Sequence, residues 1–321
     1  MSTTPATLLP ENTVRLGFEY MLGREIESDE VLKAHQNVPS VAALRVVLMN
    51  SAEFKEKAAP YVLSTWRSLW GAPQEVETLV PENVLRLLFD RIRAQWKQLG
   101  DTEPHWSVIT QDSFKAANFA QNEEQFYQTG HEQAALIKGL MKRSGREINP
   151  AATVLELGCG TGRVTHVLAD MFSKVIAVDV SPGHLRLCEQ MMKQRGKTNV
   201  QYMLLDAPGD IQRIPTIDFF FSTIVLQHNP PPVIYYFLSE IFSKIRSGGG
   251  SVLFQVPTST PGYSFNAAQY LATPPPGLEM HCLPMRSVFS LLAKYKLTPV
   301  EVMMDDSTGM LGSHTFFAVR E

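Results

Sequence analysis

The sequence predicts an α/β fold, a mostly parallel sheet with an antiparallel last strand and helices on both faces, preceded by a small all-α front end. Three observations predict it. Val154-Leu155-Glu156-Leu157-Gly158-Cys159-Gly160-Thr161-Gly162-Arg163 is a buried apolar strand ending in an acid and three alternating glycines, just before a helical pattern. Beyond it, short apolar runs alternate with helix-spaced stretches, as parallel strands joined by crossover helices require. Ahead of it, residues 11 to about 72 carry helix-spaced apolar positions with polar breaks.

The front end reads as helices at Thr13 to Leu22, Ser28 to Gln36, Ser40 to Met49 and Ala52 to Lys57, with Ser40 and Ser51 as N-caps. Glu82 to Leu99 follows as a long amphipathic pattern with Leu85, Leu88, Phe89, Ile92 and Trp96 on one face, expected to pack as a connecting helix. A helix from Glu132 to Arg143 then feeds the first strand. The division expected is a helical module over 1–75, a connecting helix and pocket-closing segment over 76–130, and the α/β domain over 131–321.

At the glycine turn the chain can bend tightly and bring backbone amides against a ligand where any Cβ would collide, the device of a Rossmann-like nucleotide cradle. The dinucleotide fingerprint G-x-G-x-x-G would put its third glycine at Arg163, whereas this chain reads E-x-G-x-G-x-G, which points away from NAD. Residues 164–169 continue as a helix, and Val175 to Val178 form a buried strand ending at Asp179, about where a second-strand acid reaches a ribose. A helix over Pro182 to Gln194 leads to a third strand, Val200 to Leu205, ending at Asp206-Ala207. Asp218 to Ser222 is a fourth strand, whose carboxyl end runs through Val225 and Leu226 to His228. Either acid could instead be a strand-end cap that accepts local backbone N–H bonds. Val233 to Arg246 is helical, and Ser247-Gly248-Gly249-Gly250 turns into a fifth strand. His314 opens the final strand and is expected at an edge.

Taken together, residues from about Thr153 to Arg320 resemble a class I S-adenosylmethionine-dependent methyltransferase. The resemblance implies S-adenosyl-L-methionine as cofactor, with Glu156, Gly158, Gly160 and Gly162 beside its methionine part. It implies Asp179 and neighbouring Val180 at the ribose, and Asp206 with Ala207 at the adenine; Leu226 is expected to complete the contacts. Tyr127, in a segment that commonly closes such pockets, is expected over the methionine end as a flat apolar ring with a polar tip. The front phrase Tyr20-Met21-Leu22-Gly23-Arg24-Glu25, with Leu44 to Leu48 and Asn50 to Phe54, resembles a small helical module related to phycobilisome linker repeats. That module recurs in bacterial proteins of surface polysaccharides.

Composition narrows the partners. A formal charge of −3 offers nucleic acid phosphates no general attraction. Cys159, Cys188 and Cys282 are the three cysteines, too dispersed for a disulfide framework or zinc site, and Cys159 reads as a small apolar filler. No apolar run approaches the roughly 20 residues that span a bilayer, and the first ten residues lack a signal pattern, so cytoplasmic residence is expected.

Methyl transfer from a sulfonium needs an aligned nucleophile and, for a hydroxyl acceptor, a base. His228 is the first candidate for that base, with backbone packing as its alternative role. Tyr263 and His281, with Glu279, lie in a Pro-, Gly- and aromatic-rich insertion after the fifth strand and are candidates for the acceptor side, or simply parts of a lid. No metal is expected, because the spacing of His228, Glu279 and His281 supports none. The expected acceptor is a sugar hydroxyl of a bacterial surface polysaccharide or precursor. A small-molecule N- or O-methyltransferase is the alternative, and a non-catalytic cofactor-binding scaffold, with the helical module as a protein interface, is the alternative of another class.

Overall fold

The computed structural model describes residues 8–54, 56–57, 74–260, 262–274, 277–305, 308 and 312–321. The chain divides into two compact units, residues 1–72 and 73–321.

In the first unit, helices α1 (Glu11–Leu22), α2 (Asp29–Gln36) and α3 (Val41–Asn50) bury one stripe each: Val14, Phe18 and Leu22, then Leu32, then Leu44 and Leu48. Ser28 and Ser40 cap α2 and α3 by accepting from Val31 N and Ala43 N at 3.3 and 3.1 Å. Ser51 accepts from Phe54 N at 3.0 Å, as an N-cap should; residues 52–54 and 56–57 are helical and Lys55 lies outside the described residues. Gly23 ends α1 at φ 63°, a left-handed C-cap that glycine adopts without a Cβ penalty.

The second unit begins with α4 (Glu82–Thr102), whose buried Leu85, Leu88 and Phe89 join the unit's main core. Helices α5 (Phe119–Gln128) and α6 (Gly130–Arg143) lead into β1 (Thr153–Leu157). There follow α7 (Thr165–Met171), β2 (Lys174–Asp179), α8 (Pro182–Gln194), β3 (Val200–Leu204), β4 (Phe219–Ser222), α9 (Pro231–Lys244), β5 (Gly250–Pro257), α10 (Ala267–Ala272), α11 (Met285–Lys294), β6 (Leu297–Asp305) and β7 (Ser313–Arg320). The seven-stranded sheet runs β3-β2-β1-β4-β5-β7-β6, parallel from β3 to β5, with β7 antiparallel to both β5 and β6.

Alternation along the strands feeds two cores. In β4, Phe220 faces one layer with Phe237 and Phe242 of α9, while Phe219 and Phe221 face the other with Ile137 and Leu168. Each such ring, fully buried, is worth roughly 1.5–3 kcal/mol over leaving it exposed.

Two local expectations change. β4 stops at Ser222, and Leu226–His228 is a 3-10 turn rather than a strand end. His314 is not at an edge: β7 lies between β5 and β6, and His314 stands opposite both Val256 and Met304. The edge is β6, which the sequence reading passed over because a bulge between Pro299 and Glu301 breaks its alternation. Pro299 is tolerated there because an edge strand leaves some N–H positions unpaired.

Candidate active site

A cavity of about 890 Å³, its open mouth included, lies at the carboxyl ends of β1, β2 and β4. Here β1 has β2 on one side and β4 on the other, the reversal of strand order at which open α/β sheets bind ligands.

The glycine turn forms its floor. Gly158 and Gly160 take φ 73° and 53°, and the N–H groups of Gly158 and Cys159 bond Val178 O at 2.7 and 3.1 Å. A Cβ on Gly158 would lie 2.4 Å from a Val225 methyl, and one on Gly160 would lie 2.7 Å from Val108. Gly162, outside the lining, serves packing instead: its Cβ would meet Cys188 Sγ and Met192 Cε of α8 at 3.1 Å.

Two acids line the cavity. Asp179 is buried and accepts from Gly160 N at 2.9 Å and from the N–H of Ser181, the N-cap of α8, at 2.8 Å, so it holds the turn and the start of α8 while facing the cavity. Val180 lies beside it in the lining. Glu156 is buried at the end of β1, where burial pushes its carboxyl up to about 8 against the Thr165 hydroxyl, which donates at 2.6 Å, and the charge of Arg163. Arg163 also lines the cavity; burial lowers its pKa, its Nη1 reaches Thr129 Oγ1 at 3.3 Å, and its buried Nε has no partner.

Ile92 and Trp96 of α4, with Ser107 and Val108, form further walls. His184, on the first turn of α8, lines the cavity beside Asp179. Ile224 holds φ 59°, an uncommon state for a β-branched residue, pinned by its N–H to Gln255 Oε1 at 2.9 Å.

His228 borders the same cavity, 5.2 Å ring to ring from Trp96. Its Nδ1 lies 2.9 Å from the Glu279 carbonyl, an acceptor only, so the proton belongs on Nδ1 and Nε2 carries the lone pair. Gln227 Nε2 approaches that lone pair at 3.3 Å. Burial lowers the His228 pKa, outweighing the carbonyl that favours its charged form. The ring is therefore neutral at neutral pH.

His281 and Tyr263 belong to a buried network outside the lining. Glu279 Oε2 takes His281 Nε2 at 2.9 Å and the Tyr270 hydroxyl at 2.5 Å; its Oε1 takes Arg91 at 3.2 Å; and the Tyr263 hydroxyl lies 2.9 Å from His281 Nδ1. Burial alone would raise the Glu279 pKa, but the bonds from His281 and Tyr270 and the charge of Arg91 lower it. This network anchors the insertion whose main chain, at Glu279 O, orients His228. Pro261 of that insertion lies outside the described residues. Among the described residues no group of three His, Cys, Asp or Glu stands close enough to hold a metal ion.

Besides Gly162, four expected cofactor contacts lie elsewhere. Tyr127 is buried in an aromatic cluster behind the glycine turn, its hydroxyl donating to Thr161 O at 3.2 Å; it supports the turn and does not cover the cavity. Asp206 is exposed and paired with Arg93 of α4, and Ala207 gives its N–H to Asp210 at 2.9 Å; neither lines the cavity. Leu226 is fully buried in the core, because the turn after β4 presents Val225 instead.

Sequence reasoning missed Ile92, Trp96, Ser107, Val108, Arg163, His184 and Ile224. Trp96 and Ile92 sat on a recognised apolar stripe, but a stripe does not tell core from cavity. Arg163 and His184 were legible from position, immediately after the glycine turn and five residues past Asp179. Ile224 left no signal, since its backbone state is imposed by Gln255.

Residues 154–249 match the family model described as a methyltransferase domain. The chain is 32% identical over 75 residues, 23% of its length, to a malonyl-[acyl-carrier protein] O-methyltransferase of Paenibacillus sp. (strain JDR-2), and 28% identical over 130 residues, 40% of its length, to a trans-aconitate 2-methyltransferase of Azoarcus sp. (strain BH72). It spans 27% and 47% of those two proteins. The magnesium protoporphyrin IX methyltransferase of Synechocystis PCC 6803, solved with bound SAH, shares the fold at TM-score 0.50 and 20% identity, over 72% of this chain and 98% of that one. Residues 154–249, with their glycine turn and the order of the strands around it, thus resemble a methyltransferase domain, on the fold shared with that SAH-bound methyltransferase.

Proposed function

We propose that the chain is an S-adenosylmethionine-dependent O-methyltransferase that acts on a neutral hydroxyl, that of a sugar in a bacterial surface polysaccharide or its precursor. The cavity residues fit the cofactor. Glu156 offers an acceptor to an ammonium, Arg163 has an unpartnered buried Nε for a carboxylate, and Asp179 offers a carboxylate to ribose hydroxyls. When bound, the cofactor supplies an activated sulfonium methyl.

The observation that carries the hydroxyl reading is the neutral His228 ring with its lone pair on Nε2, bordering the cavity next to Trp96. Nε2 takes the acceptor's proton as the oxygen attacks, and the Glu279 carbonyl steadies the resulting imidazolium through Nδ1–H. Trp96 and Ile92 hold the acceptor in line and keep water out. A carboxylate acceptor would need no base but would need a cation, and Arg163, in the glycine turn, is the sole fixed cation of the lining among the described residues. The sugar is supported by the flat apolar face of Trp96 and by the resemblance of the front helices to modules of polysaccharide proteins.

The second reading is a small-molecule carboxyl methyltransferase, favoured by the names of the two relatives, malonyl-[acyl-carrier protein] and trans-aconitate being carboxylate acceptors. Incubation of the purified chain with methyl-labelled S-adenosylmethionine and separate panels of glycan precursors, dicarboxylates, phenols and amines separates the readings by product mass. Label in glycans alone supports the proposal, and label in dicarboxylates alone overturns it. Binding without turnover on any panel favours the scaffold.

A further inference from the structure

We infer that His184 shares the ribose diol of the bound adenosyl group with Asp179, as a second hydrogen-bond acceptor; this deepens the cofactor reading above and rests on it. His184 is 1% exposed, and both side chains line the cavity. Its Nε2 lies 3.1 Å from the Pro104 carbonyl and 3.0 Å from Ser107 Oγ, whose own hydroxyl donates to that carbonyl at 3.0 Å. A carbonyl can only accept, so the proton sits on Nε2 and Nδ1 carries a lone pair.

That Nδ1 is buried and has no hydrogen-bond partner. It faces Asp179 Oδ1 at 3.9 Å, too far for a bond, and neither atom of this tautomer holds a proton for the other. On another flank, α4 approaches so closely at Gly100 that a Cβ there would lie 3.2 Å from Nδ1, which excludes a side-chain donor. Buried acceptors are normally satisfied. Two acceptors 3.9 Å apart, on side chains that both line the cavity, call for a ligand with two donors on adjacent atoms. A vicinal diol is that ligand: one hydroxyl donates to Asp179 Oδ1 and its neighbour to His184 Nδ1. Through Nε2 the same ring holds Pro104 and Ser107, so it ties the diol to the segment that walls the cavity.

The test is calorimetric titration of the full chain with S-adenosylhomocysteine and with its 2′-deoxy and 3′-deoxy analogues. The unmodified chain is expected to bind both analogues more weakly than the parent, since each hydroxyl has its own acceptor; indifference to either hydroxyl overturns the inference whatever the variants do. His184→Phe is expected to bind the parent about 10-fold more weakly, about 1.4 kcal/mol, and to show no loss against the analogue lacking the hydroxyl that His184 accepts. His184→Asn, which keeps an acceptor near Nδ1, recovers most of the affinity. Equal weakening toward all three ligands, or none, overturns the inference. Parent binding by the wild type with His184→Phe unchanged removes His184 alone, whereas no binding of any ligand by the wild type overturns the cofactor reading itself.

Discussion

Asp179→Ala separates two roles that one carboxylate plays. Its oxygens accept from Gly160 N at 2.9 Å and Ser181 N at 2.8 Å, and both residues are buried. Alanine leaves both donors unpaired, each at a cost of about 1–3 kcal/mol, so the chain without cofactor should lose about 2–6 kcal/mol. At about 2–4 °C per kcal/mol for a unit of this size, the unfolding midpoint should fall by at least about 4 °C. Asp179→Asn keeps one acceptor oxygen and should fall about half as far. Circular dichroism melts give the midpoints, and titration with S-adenosylhomocysteine, below the variant's melting range, gives the affinity. A midpoint within about 1 °C of wild type refutes the hydrogen-bond accounting. A lowered midpoint with unchanged affinity leaves Asp179 as a cap and removes it from the ribose.

Four further outcomes are expected. His228→Gln should lower turnover by about 10²–10⁴-fold with cofactor affinity within about twofold; because burial lowers the ring's pKa, the wild-type acid limb should lie below 6.5 and vanish in the variant, which a pH–rate profile reads. Gly158→Ala places a Cβ 2.4 Å from Val225 at φ 73° and should cost about 2–5 kcal/mol, of which Val225→Ala should relieve the clash but not the roughly 1–2 kcal/mol of backbone strain; urea melts that show no rescue would assign the whole cost to the backbone. Tyr127→Phe should cost about 1 kcal/mol of stability and leave S-adenosylhomocysteine affinity unchanged, and weakened binding would return Tyr127 to the cavity wall. His105 and His166 are held at about 4, by burial first and, at His166, by the charge of Arg195 second, so the folded chain stays neutral there while the unfolded chain protonates. These two groups should therefore lower stability as pH drops from 6.5 toward 4, taking up about two protons between them on unfolding near pH 5, partly offset by the proton that Glu156, held at about 8, releases on unfolding; no net proton uptake in that window would count against it.

The succession of parallel strands along the chain and the glycine turn were legible because their signals are local. Val154 to Arg163 carries apolar run, acid and glycines within ten residues, and each downstream parallel strand announces itself by an apolar run next to an acid or a turn, as the edge strand β6 does not. Asp179 was readable as a cavity acid, yet its part in holding Gly160 was not, since that bond joins two different strand ends. Tyr127, Leu226 and Asp206 went astray for one reason: sequence places a residue near a site but not the direction of its side chain. Tyr127 turns into the core behind the loop, Leu226 is replaced at the cavity by Val225, and Asp206 is taken by Arg93. His281 and Tyr263 are gathered as expected with Glu279, but into a buried network that reaches the cavity only through the Glu279 main chain.

The sequence by itself determined the sheet, the glycine cradle and the presence of acids at the carboxyl ends of β1 and β2, because periodicity, glycine conformational freedom and strand ends are properties of neighbouring residues. Only the tertiary structure decided which walls enclose the cavity, that Trp96, Ser107 and His184 belong to them, and which nitrogen of His228 carries the lone pair. Those outcomes depend on α4, the 104–108 segment and the insertion near Glu279 meeting across long stretches of chain. Packing and hydrogen-bond partners at such distances are set by the folded arrangement and leave no pattern within any one segment.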